Sequence, residues 1–216
     1  MSHDSPSEAA PLFIVLEGID GSGTTTQLER LAAALRARGR RVVATREPST
    51  GPIGLLLREI LAGKHANPDG STLDGRAMAL LFAADRRDHL TREIEPALTA
   101  GCDVISDRYL LSSLAYQAVE ADRHWVERLA EGVRAPDLTL LLDVDIGVAA
   151  QRRLKAGRPV ERYDADGTLA RVALNYRKLA AVVPDVVSLD GSASVEDVTA
   201  AILAQVQAVL GRGVSR

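Results

Sequence analysis

The strongest constraint on how this chain can fold lies near its start. There the apolar run Leu12-Phe-Ile-Val-Leu-Glu17 gives way to a loop carrying Gly18, Gly21 and Gly23, and then to a helical pattern. A run this short and apolar fits a strand buried on both faces, the kind found inside a parallel sheet. From Thr25 to Arg38, the residues Leu28, Leu31, Ala32 and Leu35 fall at helical spacing, and Gly39 stands where a C-terminal cap belongs. A strand feeding a helix through a tight loop implies a layered α/β architecture.

The alternation continues. Strands are predicted at Arg41 to Thr45, Cys102 to Ser106, Leu138 to Val144 and Val186 to Leu189. Helices are predicted at Ile53 to Leu61, Gly75 to Ala100, Leu110 to Glu120, Arg123 to Val133, Ile146 to Leu154, Thr168 to Val182 and Val195 to Leu210. This order predicts one α/β domain over residues 12–210, with an open, mostly parallel sheet and helices on both faces. Ligands of such sheets sit at the carboxyl ends of the strands. The polar stretch Lys155 to Gly167 is expected to form a mobile flap, Met1 to Pro11 a disordered tail, and 211–216 a C-terminal tail.

Composition excludes several functions. With 26 Lys and Arg against 29 Asp and Glu, the net charge is −3, so there is no basic footprint for polymeric nucleic acid. Any phosphate must be gripped locally. Aromatic residues are only 3%, which leaves Leu, Val, Ile and Ala to build the core. No apolar run approaches the ~18 residues of a membrane span, and the N-terminus lacks the pattern of a secretion signal. The single cysteine, Cys102, excludes an internal disulfide and reads as a buried small residue; a reducing cytoplasm is the expected location.

The first loop suggests the chemistry. In Gly18-Ile19-Asp20-Gly21-Ser22-Gly23-Thr24-Thr25-Thr26, glycines let successive backbone N–H groups converge on phosphate oxygens at a helix N-terminus. The usual phosphate-loop pattern places lysine after the last glycine, whereas this chain has Thr24. Thr25 offers a hydroxyl and Asp20 a carboxylate to Mg2+. A glycine cluster alone would be no more than a tight turn. Three further segments argue against that reading: Thr45-Arg-Glu-Pro48, Leu81-Phe-Ala-Ala-Asp-Arg86, and Asp107-Arg-Tyr109 followed by Ser112-Ser-Leu-Ala-Tyr-Gln117. Arg46 and Arg108 follow strands directly, where a guanidinium fork can hold phosphate. Phe82 and Arg86, four apart on a helix, share a face.

Together with the loop, these segments resemble bacterial thymidylate kinases from about Leu12 to Ala180, including the entry Ala135-Pro-Asp-Leu-Thr-Leu-Leu-Leu-Asp143. The resemblance implies a P-loop kinase fold with a five-stranded parallel sheet and a short mobile lid at about 155–167. It also implies Mg2+-dependent transfer from ATP to dTMP, giving dTDP for dTTP synthesis, and a homodimer. By resemblance, Phe82 stacks on thymine, Arg86 hydrogen-bonds its carbonyl, Arg108 binds the acceptor phosphate with Arg46 nearby, and Asp107 organises the Mg2+ water shell. Ser113 and Gln117 contact the base region, Tyr116 crowds a ribose 2′-hydroxyl, and Asp20 serves the metal or the acceptor phosphate.

With Thr24 in place of lysine, cations become the scarce item. The flap region supplies Arg152, Arg153, Lys155, Arg158 and Arg162. Arg158 and Arg162 lead as catalytic arginines, with Arg153 in reserve, set against solvated charges on a loop. Two other functions fit the same residues: a kinase of another nucleoside monophosphate or nucleoside, and a nucleotide binder that has lost catalysis with the lysine.

Overall fold

The computed structural model describes residues 10–157, 162–164 and 167–213. Five strands, β1 (Phe13–Glu17), β2 (Val42–Arg46), β3 (Asp103–Asp107), β4 (Leu138–Asp143) and β5 (Val186–Asp190), form an all-parallel sheet in the order β2-β3-β1-β4-β5. The expected five-stranded α/β fold is therefore present. All five residues of β1 are buried, as are all five of β3, because these strands lie inside the sheet and are covered on both faces.

Side chains alternate across the sheet with period two. Ile14 and Leu16 face α1 (Thr24–Ala37) and α9 (Val195–Gly213), packing among Leu31, Leu35, Ile202 and Val206. Phe13 and Val15 face the opposite side, against Leu90, Ile94 and Tyr109. Beside that second cluster, α8 (Thr168–Ala180) packs Val172 and Tyr176 against Leu141 and α5 (Leu110–Tyr116). The remaining helices are α2 (Pro52–Leu61), α3 (Gly75–His89), α4 (Glu95–Thr99), α6 (Arg123–Arg128) and α7 (Ile146–Lys155). The chain runs to β2 and β3 on one side of β1, then crosses to β4 on the other. That reversal opens a crevice at the carboxyl end of β1.

Several boundaries differ from the sequence reading, each for a local reason. The helix expected over Gly75 to Ala100 is divided by a π-helical turn at Leu90–Ile94, immediately before Pro96. Proline has no N–H to give the carbonyl four residues back, and its ring crowds that carbonyl. The helix expected from Arg123 to Val133 ends at Arg128; turns follow, leading to Gly132 in the left-handed region at φ 68°. After Tyr116 the chain tightens into a 3-10 turn, Gln117–Val119. Helix α9 continues to Gly213, past the expected start of the C-terminal tail. Cys102 is half-buried rather than buried, because it precedes β3 instead of opening it. Among the described residues, no helix is long and apolar enough to cross a membrane.

Helix α9 closes one face of the sheet, so Ile202→Ala, which empties a fully buried position, is expected to cost about 2–5 kcal/mol of stability. Urea denaturation of the variant checks this.

Candidate active site

The glycine loop between β1 and α1 takes its shape from backbone that other residues do not readily adopt. Gly21 and Gly23 have φ of 92° and 96°. A Cβ on Gly21 would lie 2.4 Å from the Ala149 carbonyl oxygen, and one on Gly18 would lie 2.9 Å from that of Leu142. The loop is thus pressed against α7 and β4, and its amides border a cavity of about 620 Å3. Four arginines outside the β3 turn also line this cavity: Arg46, Arg58, Arg152 and Arg153. Arg153 donates through Nη1 to the Asp20 carbonyl at 3.0 Å, and Arg152 through Nη1 to that of Gly191 at 2.7 Å. Thr24, where lysine is usual, is nearly buried at the start of α1 and lines the same cavity, as does the exposed Thr26.

Thr25 donates through Oγ1 to Asp107 Oδ2 at 2.6 Å, which joins the loop to the end of β3. The other oxygen, Asp107 Oδ1, is buried without a hydrogen-bond partner among the described residues. No group of three or more His, Cys, Asp or Glu residues among the described residues could hold a metal. A hydroxyl beside one carboxylate with a spare oxygen suits Mg2+, which keeps much of its water and takes phosphate oxygens as ligands.

A second, smaller cavity opens beside the first. Phe82, Arg86, Ser112, Ser113, Tyr116, Gln117 and Tyr163 line it. Phe82 is half-buried: it packs on the cluster of Leu57, Ile60 and Met78 and also faces the cavity. Arg86 is buried on α3 and donates to Glu47 at 3.2 Å, to the Tyr109 carbonyl at 3.3 Å and to Ser113 Oγ. The segment bearing Glu47 is held to α3 by Asp85, which accepts from the Ser49 amide at 2.8 Å and its hydroxyl at 2.6 Å. Tyr116 and Tyr163 meet edge to face with centroids 5.3 Å apart. Burial pushes the Tyr116 hydroxyl above the ordinary range and that of Tyr163 up to about 12, so both stay protonated at neutral pH.

Asp20, Glu47, Pro48 and Arg108 line both cavities and form the wall between them. Arg108 has φ 74°, a left-handed conformation uncommon outside glycine and characteristic of functional sites. Its carbonyl accepts from Ser106 Oγ at 2.7 Å, and its amide donates to the Leu16 carbonyl at 2.8 Å. The guanidinium donates to Asp20 Oδ1 at 2.8 Å and lies 5.2 Å from the centre of the Tyr116 ring. Behind it stands Glu17, which burial drives above the ordinary carboxylate range, against the lowering effects of Ser112 and the Arg108 charge.

The structure brings together Ile19 to Thr26, Arg46, Phe82, Arg86, Asp107, Arg108, Ser113, Tyr116, Gln117 and Arg153 around these adjoining cavities, with Gly18 behind them against β4. Arg46 is exposed on the larger cavity, while Arg108 stands at the shared wall. Arg162 lines neither: it donates to Glu120 Oε2 at 3.0 Å and to the Leu73 carbonyl at 2.6 Å. Arg158, with 158–161 and 165–166 of the expected lid and 1–9 of the expected tail, lies outside the described residues. Sequence reasoning missed Glu17, Arg58, Tyr163 and Tyr176. Glu17 alone left a signal, as the one carboxylate closing an otherwise apolar strand.

A parallel sheet whose first strand leads through a glycine loop into a helix, with cavities at its carboxyl edge, has the architecture of a P-loop kinase. The thymidylate kinase family profile matches residues 16–202. A probable thymidylate kinase of Thermococcus kodakarensis is 41% identical over 204 residues, covering 93% of this chain and 99% of that protein. One of Pyrococcus abyssi is 43% identical over 197 residues, covering 90% and 95%. The thymidylate kinase of Bifidobacterium longum subsp. infantis is 42% identical over 207 residues, covering 92% and 87%. The chain belongs to the thymidylate kinase family. The relatives include archaeal as well as bifidobacterial proteins at similar identity, so what the chain matches is the family as a whole.

A methyl group on Gly21 meets backbone and a forbidden φ together, so Gly21→Ala is expected to weaken ATP binding by at least about tenfold. Calorimetric titration with MgATP measures this.

Proposed function

We propose that the protein transfers the γ-phosphoryl group of ATP to dTMP, giving ADP and dTDP. The observation that carries this reading is the wall shared by the two cavities, where Arg108 and Asp20 separate a glycine loop from an aromatic and arginine-lined pocket. A donor held on the loop and an acceptor held over Phe82 bring their phosphates together where the two cavities meet, beside Asp20 and Arg108. An oxygen of the dTMP phosphate attacks the γ-phosphorus, the bond from that phosphorus to the β-phosphate oxygen breaks, and ADP leaves. Such a transfer asks the protein mainly for positioning and charge.

Each part of the site has a role in that reading. Loop amides and the N-terminus of α1 hold the donor phosphates. Thr25 and Asp107 would hold Mg2+, which would neutralise phosphate charge. Phe82 presents its ring to the base and Arg86, already oriented by Glu47 and Ser113, donates to a base carbonyl. Ser113 and Gln117 complete the base pocket, and Tyr116 fills the space beside the sugar. Arg108, with Arg46 and Arg58 on the donor side, addresses the phosphates. Arg153, seated on the Asp20 carbonyl, is the described flap-side arginine best placed to supply the charge that Thr24 does not. The homodimer draws support from Leu55, Leu56 and Leu80, which are exposed on the adjacent helices α2 and α3.

Three measurements test this reading. In a coupled ADP-release assay over a panel of nucleoside monophosphates, dTMP is expected to give the highest kcat/KM. Preference for another nucleotide, or binding of ATP and dTMP without dTDP, would overturn it. Phe82→Ala is expected to raise the KM for dTMP by roughly tenfold while leaving that for ATP unchanged. Arg153→Ala is expected to lower kcat by about 10- to 100-fold, with Thr24→Lys restoring part of the loss. Full activity in Arg153→Ala would remove that arginine from the mechanism.

A further inference from the structure

We propose that Glu17 is the positioning residue for Arg108: its buried carboxylate claims the hydroxyl hydrogens of Ser112 and Tyr176 and so turns their lone pairs toward the guanidinium. This inference rests on the dTMP kinase reading above. Glu17 is fully buried at the last position of β1. A carboxylate there persists only if its oxygens are satisfied. It accepts from the amides of Tyr109 at 3.0 Å and Ser112 at 3.1 Å, from Ser112 Oγ at 2.6 Å and from the Tyr176 hydroxyl at 3.0 Å.

The two amide bonds alone would describe a capping group borrowed by α5 from a distant strand. The two hydroxyl bonds go further, because the same hydroxyls meet Arg108. Its Nη1 stands 3.2 Å from Ser112 Oγ and 3.4 Å from the Tyr176 oxygen. An ionised carboxylate can only accept, so Ser112 donates to Glu17, and the Tyr176 hydrogen lies between Glu17 and Ser112 Oγ, 2.7 Å from the Tyr176 oxygen; neither hydrogen points at the arginine, and both oxygens face its donors. At the other end of the fork, Nη2 donates to Asp20. The left-handed backbone fixes where the Arg108 side chain begins, and the Glu17 relay with Asp20 fixes where it ends. A guanidinium held this way is oriented before the acceptor phosphate arrives, which lowers the cost of binding it.

The experiment compares dTMP with thymidine, which lacks the phosphate that Arg108 addresses. Both are titrated by calorimetry into wild type, Glu17→Gln, Tyr176→Phe, Arg108→Ala and the Glu17→Gln/Arg108→Ala double variant. Glu17→Gln is expected to weaken dTMP roughly tenfold and thymidine by less than about twofold, with Tyr176→Phe showing about a threefold loss for dTMP alone. In the double variant, dTMP is expected to bind no more weakly than in Arg108→Ala, since the relay acts only through that arginine. Equal losses for both ligands, no loss for either, or additive losses in the double variant would overturn the proposal. Should Glu17→Gln not fold, Tyr176→Phe decides, and an unchanged ratio of dTMP to thymidine affinity overturns it. A wild type that binds dTMP no better than thymidine overturns the kinase reading itself.

Discussion

The register of β1, β3 and β2 is the constraint from which the site follows. Leu16 stands opposite Asp107 in the β1–β3 pair, and Asp107 stands opposite Arg46 in the β3–β2 pair. Three strands therefore end level with one another. The residues that follow emerge side by side: the glycine loop from β1, Arg108 from β3 and Glu47 from β2. A slip of one residue in the β1–β3 pair would turn Asp107 to the other face and break its bond to Thr25, and one in the β3–β2 pair would turn Arg46. The sheet core enforces the register, since Ile14, Leu16 and Ile105 must face the same helices.

Much of the site consists of polar groups buried in layers behind those exposed to ligand. Arg86 is nearly inaccessible, yet its Nε donates to Glu47 and its Nη2 to Ser113 and the Tyr109 carbonyl. Glu47 also approaches His89, whose other nitrogen lies 2.8 Å from Thr45 Oγ1. Inside a low-dielectric interior, such a network rigidifies what it contacts and penalises the loss of any member. The smaller cavity is thus lined by side chains whose orientations are set from behind, which suits a reaction that depends on positioning more than on covalent help.

This layering explains what could be read from the sequence. Strands and helices were legible because burial on both faces writes continuous apolar runs, and amphipathic helices write a 3.6-residue period. The glycine loop and the arginines after β2 and β3 were legible because their place in that order assigns them to the carboxyl edge. Breaks within helices were harder. Pro96 disturbs a helix that its neighbours otherwise favour, and the turns after Arg128 lie in a segment of helical pattern. Supporting groups were hardest of all. Thr45-Arg-Glu-Pro48 reads equally as a turn with a surface ion pair, but the fold buries Glu47 against Arg86, from a helix 39 residues away in sequence. Tyr176 shares Glu17 with Ser112 across 64 residues, and no local pattern encodes that meeting.

The threonine at position 24 is best understood through the charges that surround the larger cavity. Arg46, Arg58, Arg108, Arg152 and Arg153 line it, against the carboxylates of Asp20, Glu47 and Asp107. Glu47 is occupied by Arg86 and Asp20 by Arg108, so the cavity is not short of positive charge for a triphosphate. What threonine removes is a cation rooted in the loop itself, fixed by the first turn of α1 relative to the transferring group. The arginines that remain are rooted elsewhere: Arg46 at the end of β2, Arg58 on α2, and Arg152 with Arg153 on α7. The loop touches α7 at the Ala149 carbonyl, in the turn before those two arginines, so α7 and the loop are packed as one unit. The arginines of α7 are therefore positioned relative to the loop by backbone packing, and Arg153 is tied to it directly through the Asp20 carbonyl.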